Sequence, residues 1–366
     1  MAIVITMNVA GFAYATTTAP QAIVYDMESK QILLNKNSSN RMYPASMTKI
    51  MTAYVVFDAL KKGNLTMDTK FRISKKSWKK GGSKMFVKYN SLVSVNDLLH
   101  GVIVQSGNDA AIAIAEGMAG TEENFARIMN SYAKKLGMTG THFTNSTGWP
   151  DKNHYTTAKD LVKLSIAMIR NFPEYYGIWG KREFTYNKIK QPNRNPLLGK
   201  SLGADGLKTG HTEISGYGLV ASVKQGNRRL IFVLNGMKSK KERRVQSFEV
   251  AQNYLYNYKN VKILKVGQVL GDVKVVHGSK KSIPIISKKD LLMTVNVSQG
   301  APVKAELQYK TPLVAPIKKG QEIGFVKITQ LGKTDKVIPV YAGGEVRKQG
   351  FVQRAVGNIK RIILGQ

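Results

Sequence analysis

Hydrophobic and polar positions change their period several times along the chain. The first fifteen residues, MAIVITMNVAGFAYA, carry no charge and close on Ala13-Tyr14-Ala15. That small-x-small ending is the kind a signal peptidase cuts, so residues 1–15 read as an export signal, although the usual basic start is missing. From Gln21 the stretch AIVYDMESKQILLNKN places two β-rich runs around a polar turn and predicts a hairpin. Pro44-Ala45-Ser46 then opens an almost uniformly apolar helix through Met47, Ile50, Met51, Tyr54, Val55 and Leu60. It stops at Lys61-Lys62-Gly63, a basic last turn followed by a glycine. A helix apolar on nearly all sides belongs in the middle of a core. Further helices are predicted over residues 96–104, 109–118, 122–136 and 158–169. The period shortens to that of strands at 217–223 and 229–234, on either side of Gln225-Gly226-Asn227, and a last helix spans about 242–258. Strand, helices, strands in that order predict one α/β unit over residues 16–258, a sheet packed with helices.

Residues 261–345 carry short β runs broken by Gly, Pro and Lys pairs, which predict a second, all-β domain. Beyond it, Phe351, Val352, Val356, Ile359, Ile362 and Ile363 fall at helical spacing, with Gln353, Arg354, Asn358, Lys360 and Arg361 on the other face. Residues 348–366 therefore predict a basic amphipathic helix, suited either to lie on a membrane surface or to pack on its own domain.

Composition narrows the classes. A chain of 366 residues with 43% hydrophobic and 22% charged positions is globular and long enough for two cores. No apolar run reaches the roughly 20 residues of a spanning helix. Lys and Arg exceed Asp and Glu by 56 to 23, a net +33 spread along nearly the whole chain, which implies an anionic neighbourhood rather than one partner. The absence of cysteine excludes disulfides, thiolate metal sites and a cysteine nucleophile.

A serine followed three residues later by lysine occurs at Ser46/Lys49, Ser77/Lys80 and Ser131/Lys134. Ser77 is expected in a lysine-crowded loop and Lys134 at a solvated helix end, whereas Ser46 and Lys49 fall on the first turn of the buried helix. Spacing of three brings both side chains to one face. Burial and the positive helix start would both disfavour the ammonium, so Lys49 is placed to act as base for Ser46. Ser-x-Asn also occurs three times, at Ser38, Ser94 and Ser106, and Ser106-Gly107-Asn108 alone joins two apolar helices, where its side chains could face a cleft or merely cap. Lys208-Thr209-Gly210 stands at the start of the returning sheet, where an edge strand could pair with a substrate backbone and Gly210 could allow its close approach.

The order Ser46-x-x-Lys49, Ser106-x-Asn108, Lys208-Thr209-Gly210 resembles that of the penicillin-recognising serine enzymes. The longer strings PASMTKIMTAYVV, SGNDAAIAIAE, MNSYAKKLGMTGTHFTNSTG, RNPLL and DGLKTGHTEISGYGLVAS are similar to those of the D-alanyl-D-alanine carboxypeptidases, the low-molecular-mass penicillin-binding proteins, over residues 22–258. The resemblance implies a serine transpeptidase-like α/β domain with an antiparallel sheet, followed by a small all-β domain. It implies that Ser46 attacks the carbonyl between two terminal D-alanines of a peptidoglycan stem while Lys49 takes its proton. Ser106 and Lys208 would pass a proton to the leaving amine, and Asn108 would hold the acyl-side amide. The backbone N–H groups of Ser46 and His211 would form the oxyanion hole. Thr209 and an arginine would bind the terminal carboxylate; Arg194 matches the family's Arg-Asn element and Arg243 is a second candidate. No metal or cofactor is implied. The implied partners are stem peptides, β-lactams and, through the tail, anionic phospholipid at the outer face of the inner membrane of an exported, periplasmic protein; a homodimer is left open. His100, His142, His154 and His277 share no constellation and read as structural or surface residues.

Three rivals remain. A class A β-lactamase would carry a Glu-x-x-Leu-Asn element between the second and third motifs, and none of Glu116, Glu122, Glu123, Glu174 or Glu183 has that context. A nucleic-acid-binding protein would suit the +33 charge, but no binding motif supports it and no nucleic-acid partner is expected. A catalytically dead cell-wall binder would not need the full catalytic set.

Overall fold

The computed structural model describes residues 17–298, 303–330 and 335–350. The expected export signal and the expected tail helix from residue 351 lie outside the described residues. The chain divides between Tyr256 and Asn257 into two compact units.

In the first unit β1 (Gln21–Asp26) and β2 (Gln31–Lys36) form the expected hairpin. A single 3₁₀ turn over Ala45–Thr48 then leads into α1 (Lys49–Lys61), so Ser46 precedes the α-helix rather than lying in its first turn. Residues Lys49 to Phe57 of α1 are all buried, which explains a helix with no polar face. A short hairpin of β3 (Lys70–Arg72) and β4 (Leu92–Ser94) brackets α2 (Lys75–Lys79). Next comes α3 (Val95–His100), capped by the Ser94 hydroxyl, which accepts from Asp97 N. The expected helix over 96–104 changes winding at its middle: Gly101–Gln105 form a π turn that ends at Ser106 with φ +62°. Then follow α4 (Asn108–Ala119), α5 (Glu122–Lys135), α6 (Ala158–Asn171) and the single turn α7 (Pro173–Tyr176). Thr121 and Thr157 cap α5 and α6, with acids in each first turn and bases in each last, as the helix dipole favours.

After a small hairpin of β5 (Glu183–Tyr186) and β6 (Ile189–Pro192), the sheet is completed by β7 (Ala204–Thr212), β8 (Gly216–Gln225) and β9 (Arg228–Met237). Its order is β2-β1-β9-β8-β7 with every pair antiparallel, so β7, carrying Lys208-Thr209-Gly210, is an edge strand. The inner strands alternate little between buried and exposed positions; residues 218–223 and 230–235 are buried throughout, as expected of strands covered on both faces. Helix α8 (Lys240–Tyr256) closes the unit, two residues short of the expected end.

The second unit is all-β from Tyr258. Strands β10 (Tyr258–Leu264) and β13 (Leu291–Asn296) pair with each other. A six-stranded sheet joins β11 (Val269–Val276), β12 (Ser282–Ser287), β14 (Val303–Tyr309), β15 (Leu313–Val314), β16 (Glu322–Gln330) and β17 (Lys336–Ala342). Ile285, Val340 and Val346 lie at the centre of its core. Among the described residues, no helix is long and apolar enough to cross a membrane.

Candidate active site

The turn carrying Ser46 is seated between two glycines. A methyl group on Gly148, whose φ is +81°, would stand 1.7 Å from the Ala45 carbonyl oxygen, and one on Gly210 would stand 2.8 Å from that of Pro44. Gly210 therefore lets β7 pack against the protein's own 3₁₀ turn. The close approach expected of a ligand backbone is taken by Pro44 to Met47.

Lys49 is fully buried, and its Nζ lies 3.0 Å from Ser46 Oγ, 2.7 Å from Asn108 Oδ1 and 2.7 Å from the Thr147 carbonyl oxygen. Burial, reinforced by the Arg194 guanidinium, pulls this lysine down to about 7. Three partners suit a neutral amine well. Its two hydrogens satisfy the Asn108 and Thr147 oxygens, leaving the lone pair for the proton of Ser46. A base poised near neutrality is what serine activation requires.

The second motif is held in place from behind. Asp109, fully buried, accepts from Met85 N and Phe86 N at 2.9 Å each and from Ala110 N. Asn108 N donates to Ser83 O at 2.7 Å and Asn108 Nδ2 to Gly81 O at 2.9 Å. The loop over 81–87 is thus clipped to the start of α4, and the Asn108 oxygen is turned to Lys49. The Ser106 hydroxyl is buried and has no hydrogen-bond partner among the described residues, although Ser106 lines the cleft. The other two Ser-x-Asn serines are structural: Ser94 caps α3, and Ser38 Oγ donates to Asn35. Ser77 departs from expectation. It sits buried in α2 and donates to the Asp109 carbonyl, a packing role rather than a loop position.

On the edge strand, Lys208 is buried and its amine is held well below the usual lysine range, first by burial and then by the charges of Lys49, Arg194 and Arg243. Thr209, Gly210 and His211 line the cleft, and the His211 ring stacks 3.9 Å from that of Tyr217. Arg243 is buried, donates to the Gly210 carbonyl at 3.4 Å and lies over Tyr217. Burial lowers it only to about 10, so it remains a cation at neutral pH. Arg194 also lines the cleft, but its guanidinium donates to Ser83 Oγ. Arg243, which sequence reasoning ranked second, is thus the arginine fastened to β7 beside Thr209.

One open cleft of about 1490 Å³ is lined by Ser46, Ser106, Asn108, Thr209, Arg194 and Arg243, among others, whereas Lys49 and Lys208 are buried and not in its lining. Glu213 is the one acidic residue of that lining among the described residues. Asp109 and Glu122, the buried acids nearby, are spent on backbone N–H groups and hydroxyls of neighbouring turns. Neither Asp109 nor Glu122 is therefore free to serve as a β-lactamase-type deacylation base.

Compared with known proteins, residues 8–239 match the D-alanyl-D-alanine carboxypeptidase family model. The chain belongs to that family. As a serine carboxypeptidase, it carries after its catalytic unit residues 258–348 that match the C-terminal domain of penicillin-binding protein 5. The D-alanyl-D-alanine carboxypeptidase DacA of Haemophilus influenzae is 41% identical over 323 residues, 86% of this chain and 82% of that protein. The solved carboxypeptidase DacD of Francisella tularensis superposes with a TM-score of 0.80 at 33% identity, covering 92% of this chain and 95% of that one. Penicillin-binding protein D2 of Listeria monocytogenes in its ampicillin-bound form, 30% identical, covers 66% of this chain and 98% of its own with a TM-score of 0.61.

Two parts of the carboxypeptidase site had no role assigned from the sequence. The first is the turn over 144–149. Asn145 Oδ1 accepts from the N–H groups of Thr147, Gly148 and Trp149 at 2.8 to 3.2 Å, which fixes the Thr147 carbonyl against Lys49. The Asn-x-x-Gly spacing was the signal for such a side-chain-closed turn. The second is the loop over 81–87, which carries no residue of the three motifs.

Proposed function

We propose that this carboxypeptidase removes the terminal D-alanine from peptidoglycan stem peptides through an acyl-enzyme on Ser46. The observation that carries the reading is the Lys49 amine, buried and shared between Ser46, Asn108 and Thr147 beside an open cleft. Neutral Lys49 takes the Ser46 proton as Oγ attacks the penultimate carbonyl. The negative oxygen that develops is received by the backbone N–H groups of Ser46 and His211. As the C–N bond breaks, a proton reaches the departing amine through Ser106, whose hydroxyl has no partner among the described residues, and Lys208. Asn108 holds the acyl-side amide, and Thr209 with Arg243 receives the terminal carboxylate, Arg194 lining the same cleft. Water then hydrolyses the ester and restores Ser46. The relatives named as carboxypeptidases, and the ampicillin-bound relative, support both substrate and inhibitor class.

Incubation with a stem pentapeptide should release one equivalent of D-alanine per stem, detected by mass. A labelled penicillin should survive denaturation on the peptide containing Ser46, because the chain carries no Glu-x-x-Leu-Asn element to serve deacylation. Penicillin hydrolysis at many turnovers per second would instead make the protein a β-lactamase.

The same proposal places the enzyme outside the cytoplasm, on the outer face of the inner membrane. Its support is the apolar stripe from Phe351 to Ile363 and the cations Lys348, Arg354, Lys360 and Arg361. Partial burial of six such side chains sums to several kcal/mol, at about 1.5 to 3 kcal/mol for full burial of one. Each cation adds about 1 kcal/mol near anionic lipid, a contribution that salt screens. A chain cut at Gly344 would lose Val346, which is buried and pairs with Ile317. The informative truncation is therefore at Gly350: it should remain folded and active but cease to sediment with anionic liposomes. Equal sedimentation of both forms would refute the anchor.

A further inference from the structure

Directly behind the catalytic lysine lies a histidine that the mechanism does not use. His154 is 2% exposed, and its Nε2 is 2.8 Å from the hydroxyl of Thr48, the residue before Lys49. Its Nδ1 accepts from Thr144 N at 3.1 Å. Because Nδ1 is an acceptor, the neutral ring carries its proton on Nε2 and donates it to Thr48. The phenyl ring of Phe143 packs edge-on against the imidazole at 5.6 Å, so the ring has one orientation.

One side chain therefore bonds two separate pieces of the site. Thr48 belongs to the 3₁₀ turn that presents Ser46, and Thr144 opens the turn whose Thr147 carbonyl receives Lys49. We propose that His154 is the positioning residue for the general base: it ties the Thr48 hydroxyl to the turn over 144–149 and so holds the amine of Lys49 at its three partners, away from water. The proposal rests on the reading of Lys49 as the base. Without the imidazole, the two pieces lose this direct tie and keep the glycine seat at Gly148 and, from α1, the bond of the Thr52 hydroxyl to the Ser146 carbonyl. Water then reaches Lys49, and its amine titrates closer to an ordinary lysine.

The ring stays neutral across the working range, since burial takes it down to about 4. The charged or titratable groups that act on it are Asp151 and His142 from its own segment and Lys49 from α1. Those acting on Lys49 are Arg194, Asp109, Glu122 and Lys80. His154 does not change charge near pH 7, so a pH profile there reports Lys49 together with Lys208, whose lowered amine feels the Lys49 charge, and not the imidazole.

The test is the rate of penicillin acylation from about pH 5 to 9 for the full chain and its variants, with D-alanine release measured alongside. The parent rate should rise through a midpoint near 7. His154→Ala should lower the neutral-pH rate by about 10- to 100-fold, chiefly in the acylation step rather than in binding, and move the midpoint upward. His154→Gln, which can still donate to Thr48, should keep the midpoint. Thr48→Val, equal in shape, should reproduce His154→Ala, and the double variant should be no worse than either single one. Thr48→Val carries the test where His154→Ala does not fold. An unshifted midpoint in folded His154→Ala and Thr48→Val, or losses that add in the double variant, would overturn the positioning role. Absence of any acylation by the parent would instead refute the function on which it rests.

Discussion

Ser46→Ala should fold like the parent and release no measurable D-alanine, and Lys49→Arg should be almost as inert. The two residues act as one unit, because an unactivated hydroxyl attacks poorly at neutral pH and the base has nothing to deprotonate without it. Arginine keeps the charge but cannot surrender its proton, and its planar fork does not fit a seat built from one hydroxyl and two oxygens 2.7 Å from a single nitrogen. The expected loss for either substitution is about 10⁴-fold or more in acylation. In the parent, the lysine is neutral above about 7 and protonated below it, so acylation should climb as pH rises through that value. Stopped-flow acylation by a labelled penicillin checks both statements, with circular dichroism as the fold control. Substantial D-alanine release by folded Ser46→Ala would remove Ser46 from the mechanism.

A stem peptide whose C-terminal carboxylate is amidated should be a poor substrate, and Arg243→Ala should erase the preference. Arg243 is buried, still cationic, and fastened to β7 through the Gly210 carbonyl. An amide in place of the carboxylate leaves this buried cation unpaired. Breaking such a desolvated charge pair costs about 2 to 5 kcal/mol, or about 30- to 5,000-fold in kcat/KM. In Arg243→Ala the free acid should fall to the level of the amide, while Arg194→Ala should keep part of the discrimination because that guanidinium is tethered to Ser83. Equal rates on acid and amide by the parent would show that recognition lies elsewhere.

The three motifs were legible because each combines a chemical pair with a strong local pattern. Ser46 and Lys49 stood at the mouth of a helix with no polar face, and Ser106 and Asn108 between two apolar helices. The sheet was legible through its hairpin signals, and β7 as an edge followed from its place before the returning strands. What was hidden depends on contacts distant in sequence. Lys49 meets Thr147 through a backbone carbonyl, 98 residues away, and no residue type announces a carbonyl. Gly210 looked like a place for substrate because nothing in its tripeptide reveals that Pro44 and Met47 fill the space above it. His154 read as structural for a similar reason: its partners, Thr48 and Thr144, are common residues with no periodic signature. The winding change at Gly101–Gln105 was invisible because its residues suit an α-helix as well as a π turn.

The sheet also governs when the molecule can fold. Strand β1 lies between β2 and β9, with Ile23 facing Val233. The middle of the sheet is thus assembled from the start and near the end of the catalytic unit, and all of its helices but α8 are synthesised in between. A ribosome must complete β9 before β1 can acquire its central neighbour, and closing so long a loop precedes any gain from the pairing. For most of its synthesis the catalytic unit therefore lacks a finished core, and the pairing that completes its sheet comes only near the end.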